Sequence, residues 1–283
     1  MSELPMSILK ASRRYEPIKT GDIVLYPILT GEYSEYLAAK PAIEVMHQSL
    51  PVAYLRMPLL AALYQMDYDA ATSGKLPSEL FARTLLALAL SLRLGTGLEP
   101  SERVQMFQIA VDREKPGTLL RIIFTDKDGA ERSITPAQYQ TVRQIIAVQN
   151  GVKIEDETAN PDLVKAQKDM ASAGGITLDP NVDDLISAIS ALSGADEAEI
   201  DEWPILRLER KTEAYKRILD YIVCGIGEMS GTTWKGGNPT PHPFFKRLQT
   251  GNPALSLLGG GGISTAGNAP SDAVKMAQET QHL

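Results

Sequence analysis

A mostly helical α+β fold is what this 283-residue chain predicts. Three observations predict it. Apolar residues recur at helical spacing over most of the length, the period drops from 3.6 to 2 in one stretch near residues 103–134, and Gly and Pro punctuate helix ends up to Gly231. The chain therefore divides into an N-terminal helical part (1–100), a β-meander (101–134), a second helical part packed in the same body (135–231), and a Pro/Gly-rich loop with a flexible tail (232–283).

The first element is a short strand in Asp22 to Ile28, an alternating apolar run broken by Pro27 and Gly31. Helices follow it. From Pro58 to Ala71, Leu59, Leu60, Leu63, Tyr64 and Met66 keep helical spacing, and Gly74 closes the run. Ser78 is placed to cap the next helix, which runs to about Leu94 and stops at Gly95. It is apolar on nearly every side, with only Arg83, Thr84, Ser91 and Arg93 polar. Such a helix belongs in the centre of a core or against a second copy of the chain, so a homo-oligomer is one of the partners expected.

Period 2 then takes over. Val104 to Val111 puts Phe107, Ile109 and Val111 on one face, and Thr118 to Thr125 does the same for Leu120, Ile122 and Phe124. Lys115, Pro116 and Gly117 form the turn between them. Asp126 to Gly129 form a second turn, leading to a short third strand over Ala130 to Ile134.

Thr135, Pro136, Ala137 and Gln138 make a capping box with Pro at the first helical position, the clearest local signal in the chain. The helix they open shows Tyr139, Val142, Ile145, Ile146 and Gln149 on one face and ends at Asn150 and Gly151. A second helix is expected from Asn160 to about Ala173. A third opens at Asp179 and Pro180, with Leu185, Ile186, Ile189 and Leu192 as its stripe and Gly194 as its stop. The last long helix follows Pro204: Leu208, Thr212, Tyr215, Leu219, Ile222, Ile226 and Met229 alternate spacings of four and three, a seam suited to helix packing, and Gly231 ends it. Ahead of it, Asp196, Glu197, Glu199, Asp201 and Glu202 read as acid at a helix start or as a docking surface for a charged partner.

Composition narrows function. Hydrophobic residues make up 43% and charged residues 22%, and the net charge is −7, so neither nucleic acid nor an anionic membrane is the expected partner. One cysteine, Cys224, excludes an intramolecular disulfide and a Cys-based zinc site, and points to a reducing compartment. No secretory signal is read in residues 1–19, and the most apolar run, Leu80 to Leu94, is too short for a bilayer span. A cytoplasmic protein is expected.

Motifs for chemistry are lacking. His47, His242 and His282 have no partner at i+4, no Gly-x-Ser-x-Gly elbow is present, and Asp69 stands where a phosphate loop ending at Gly74 and Lys75 needs glycine. Gly225, Gly227 and Gly231 fit close helix packing better than a dinucleotide fingerprint. No catalytic residue, cofactor or metal is therefore expected.

Three windows carry a family resemblance: IVLYPILTGEYSEY (Ile23 to Tyr36), ITPAQYQTVRQIIAVQNG (Ile134 to Gly151), and Leu208 to Gly231, which ends in IVCGIGEMSG. In these the chain resembles proteins encoded among the tail genes of tailed bacteriophages. The resemblance implies a non-enzymatic role in viral tail assembly: a chaperone binding a tape-measure or tube protein in the host cytoplasm, or a minor structural component of the tail or baseplate, a virion component. A ligand-binding protein or an enzyme without a recognisable motif is the third reading. The expected partner contacts are Trp234, Lys235, Phe244 and Phe245, because aromatics set among Pro and Gly can anchor an interface.

Overall fold

A computed structural model describes residues 4–154, 181–234 and 237–244. The chain forms two compact units, Met1–Glu209 and Arg210–Leu283, so the division falls inside the last long helix, whereas composition placed a boundary near Gly231. The fold class is α+β and mostly helical.

The first unit opens with helix α1 (Met6–Arg13) and a hairpin of β1 (Ile18–Thr20) and β2 (Ile23–Leu25), in which Ile18 pairs with Leu25 and Gly21 supplies a φ of +58°. Helix α2 (Tyr33–Glu44) follows a short 3₁₀ turn, then α3 (Leu59–Thr72) and α4 (Leu80–Leu92). Every residue of α4 from Thr84 to Leu92 is buried. It packs against α2, α3, α5 and β2, so its all-round apolar surface goes into this unit's own core. Each fully buried leucine there contributes about 1.5–3 kcal/mol.

The ends of α4 differ from the expectation: its N-cap is Glu79, in the left-handed conformation (φ +62°), one residue after Ser78. The Ser78 hydroxyl does accept from the Leu80 N–H, at 3.3 Å, while donating to Asp67. The stop, however, is Arg93, which takes the left-handed conformation (φ +54°) two residues before Gly95, and its guanidinium lies 4.8 Å over the Tyr26 ring.

The expected strand from Val104 is in part a helix. Pro100–Gln105 forms α5, because Glu99 and Glu102 make a capping box around Pro100. Arg103 on that helix is buried and pairs with Glu32 at 2.7 Å. The antiparallel sheet then runs β3 (Gln108–Val111), β4 (Leu119–Thr125) and β5 (Glu131–Ile134) in that order. A bulge between Ala110 and Val111 changes the pairing, Val111 meeting Leu119. Leu119 is therefore buried and Leu120 turned out to solvent, where alternation placed Leu120 inside with Ile122 and Phe124. The β4–β5 turn closes on Asp126, whose carboxylate accepts from Asp128, Ala130 and Arg132; the Arg132 hydrogen bond, first among these, holds its pKa below the ordinary value.

Helix α6 (Pro136–Gln149) starts as predicted, with Thr135 and Gln138 capping each other, and buries Tyr139, Val142, Ile145, Ile146 and Gln149. Arg143 is buried on it and donates to the carbonyls of Ile43 and Val45 at the end of α2. The helix expected over Asn160 to Ala173 lies outside the described residues, as does the tail beyond residue 244. Helix α7 (Val182–Ser193) is capped by Asn181 and ends at Gly194 (φ +71°). Ile186 and Ile189 of its stripe are buried, but Leu192 is half exposed. A short α8 (Glu197–Asp201) precedes α9 (Ile205–Met229).

Candidate interaction surface

The three sequence windows quoted above play two different structural parts. The first two, with the chain entering α9 at Trp203 to Ile205, converge inside the first unit. The Ile28 N–H donates to the Asn150 side chain at 2.9 Å, Gln149 donates to the Leu25 carbonyl at 3.1 Å, and the Tyr36 hydroxyl donates to the Asn150 carbonyl at 3.3 Å. Burial, and next the Glu209 carboxylate, push the Tyr36 phenol well above its usual range, so it is a hydrogen-bond donor at any physiological pH. The Ile205 N–H donates to the Ile28 carbonyl, and the Trp203 carbonyl accepts from both the amide and the hydroxyl of Thr30. Asn150 is fully buried, so the close of the second window is a junction that pins a loop and two helices. The acidic run beside it is partly spent in the same way: Glu197 accepts from Ser187, and Glu199 from the indole of buried Trp203, whose ring carries Arg207 at 4.0 Å.

The C-terminal half of α9, in the second unit, is built differently. Its seam is real as a face but bare. Leu219, Ile222, Val223, Ile226 and Met229 are 47–91% exposed, where exposed large apolar side chains in contiguous groups mark contact surfaces. Gly225 lies on this side, with nothing within 4 Å of the position a Cβ would take. Buried Cys224 is on the opposite side of the helix.

The helix stops in a Schellman arrangement. Gly231 has φ +83°, its N–H reaches the Glu228 carbonyl, and the Thr232 N–H reaches the Gly227 carbonyl at 2.9 Å. This turn sends the chain back, so that Trp234 lies on Gly227, 3.5 Å from where a Cβ would stand. Gly227 thus makes room for an indole, not for another helix as its spacing suggested. Trp234 is half buried, and its indole nitrogen has no hydrogen-bond partner among the described residues.

Of the four predicted contact residues, the structure therefore brings Trp234 onto α9 as packing and leaves Phe244 exposed, at 68%. The Phe244 carbonyl accepts from Arg217 at 3.0 Å and its ring meets His242 edge-on. Lys235 and Phe245 lie outside the described residues. The returning segment covers the side of α9 that carries Arg217 and Gly227 and leaves the apolar side open.

What sequence reasoning missed is that the surface is the helix seam itself. The signal was present in the spacing of Leu219, Ile222, Ile226 and Met229, but spacing does not say whether a seam is covered. Among the described residues no group of three or more His, Cys, Asp or Glu side chains is placed to hold a metal, and no helix is long and apolar enough to cross a membrane. No protein-family model matches the chain, and no curated protein or solved structure matches it.

Proposed function

We propose that the chain is a non-enzymatic assembly protein of the tailed-bacteriophage tail, a chaperone that works in the host cytoplasm on an apolar, tape-measure-like partner. The observation that carries this reading is the open apolar face of α9, with no charged residue between Asp220 and Glu228. A body that keeps such a face exposed is suited to reversible contact with other proteins. The resemblance of the three sequence windows to tail-gene products supplies the setting.

Mass spectrometry of purified phage tails, together with co-expression alongside the tape-measure protein of the same tail module, tests the proposal. The expected result is co-purification with that protein during assembly and absence from finished tails. Abundant copies in the finished tail would reject the chaperone reading and favour a minor structural component of the tail or baseplate.

A further inference from the structure

The geometry points to a second copy of this chain as the occupant of the open α9 face in the free protein, the two helices lying antiparallel. This step rests on the proposed function only in treating the face as a protein contact.

Four observations carry it. First, Thr212, Tyr215, Leu219, Ile222, Ile226 and Met229 alternate in steps of three and four, the a/d repeat by which one helix meets another of like kind. Secondly, the face is uncharged from Tyr221 to Gly227, so its complement is also uncharged and apolar, which a second α9 supplies.

Thirdly, charge along α9 is polarised. Arg207, Arg210, Lys211, Lys216 and Arg217 outweigh Glu209 and Glu213 in the first part, while Asp220 and Glu228 are the charges of the second. This runs against the helix's own macrodipole, which favours acid first and base last. An antiparallel partner sets its basic part beside the acidic part. A parallel partner would set Lys211, at a g position, beside the other copy's Lys216, at e. Fourthly, Gly225 costs helix stability and touches nothing, a loss that close approach of a second helix explains.

In the antiparallel register Leu219 layers on the second copy's Ile222, Ile226 on its Tyr215, and Met229 on its Thr212. The exposed side chains of the face offer on the order of 500 Å² per chain, so pairing covers roughly 1,000 Å², the size of a weak, reversible interface. Such a pair protects the face until a tail partner displaces it.

Sedimentation of the full chain over a concentration series, with directed cross-linking, tests the pairing. Wild type is expected to pass reversibly from monomer to dimer, and Leu219→Asp/Ile226→Asp to stay monomeric and to unfold as wild type does at concentrations where it too is a monomer, since both side chains are exposed. In a Cys224→Ser background, Thr212→Cys/Met229→Cys should give a 212–229 disulfide on mild oxidation. That bond can only join two copies, because within one helix the positions are about 25 Å apart. A monomer at every concentration, a dimer that survives the two aspartates, or a 229–229 disulfide in Met229→Cys alone would overturn the antiparallel pair. If the chain is monomeric yet still co-purifies with the tape-measure protein, the pairing fails and the proposed function stands. A dimer that ignores that protein overturns the function and leaves the pairing intact.

Discussion

Helices α4 and α9 invert the ordinary link between apolarity and exposure. Helix α4 is apolar on nearly every side and is wholly covered from Thr84 to Leu92; α9 concentrates its apolar residues on one narrow face, and the C-terminal half of that face is bare. Placement explains the contrast. Helix α4 sits where α2, α3, α5 and β2 close around it. The C-terminal half of α9 has its own returning segment on one side only, held by Trp234 on Gly227 and by Arg217 on the Phe244 carbonyl. An apolar stripe is thus a demand for a partner, and the fold decides whether that partner is in the same chain.

Three substitutions sharpen the contrast, the largest effect first. Leu88→Ala, at a site with no exposure, removes side-chain volume from the centre of the core and should cost about 3 kcal/mol in urea unfolding. A cost below about 1 kcal/mol would show α4 to be loosely packed. Thr135→Ala removes the reciprocal cap of α6 and should cost about 1 kcal/mol, read as a lower denaturation midpoint with an unchanged slope. Ile226→Ala, on the open face, should change the unfolding of the monomer by less than about 0.5 kcal/mol. A loss comparable to that of Leu88→Ala would mean that the α9 face is part of a core after all.

Much of the helical part was legible from local chemistry. Thr135 and Gln138, Gly194 and Gly231 act as read because capping and left-handed stops depend on residues within one turn. The same logic would have found α5, since Glu99, Pro100 and Glu102 repeat the pattern of Thr135, Pro136 and Gln138 in acidic form. Its alternating apolar residues, Val104 and Phe107 onward, hid it behind a strand-like period. Leu120 was misplaced for another reason: it is the extra residue of a bulge opposite the Ala110–Val111 step, which depends on pairing across two strands and is not recorded in the alternation of β4.

The interaction surface was half legible. The seam could be counted off the sequence, and the aromatics after Gly231 could be singled out, but Trp234 is used to pack the helix. Asn150 carried no functional signal, yet its hydrogen bonds to Ile28 and Tyr36 join segments more than 100 residues apart.

The sequence by itself determined where helices begin and end, the class of fold, and the heptad spacing of α9, because each follows from contacts within a few residues. Only the tertiary structure decided which apolar surfaces are covered, which face Leu119 and Leu120 take, and that Asn150 is a junction. Burial and buried hydrogen bonds are satisfied by groups distant in the chain, and their positions exist only once the elements have packed.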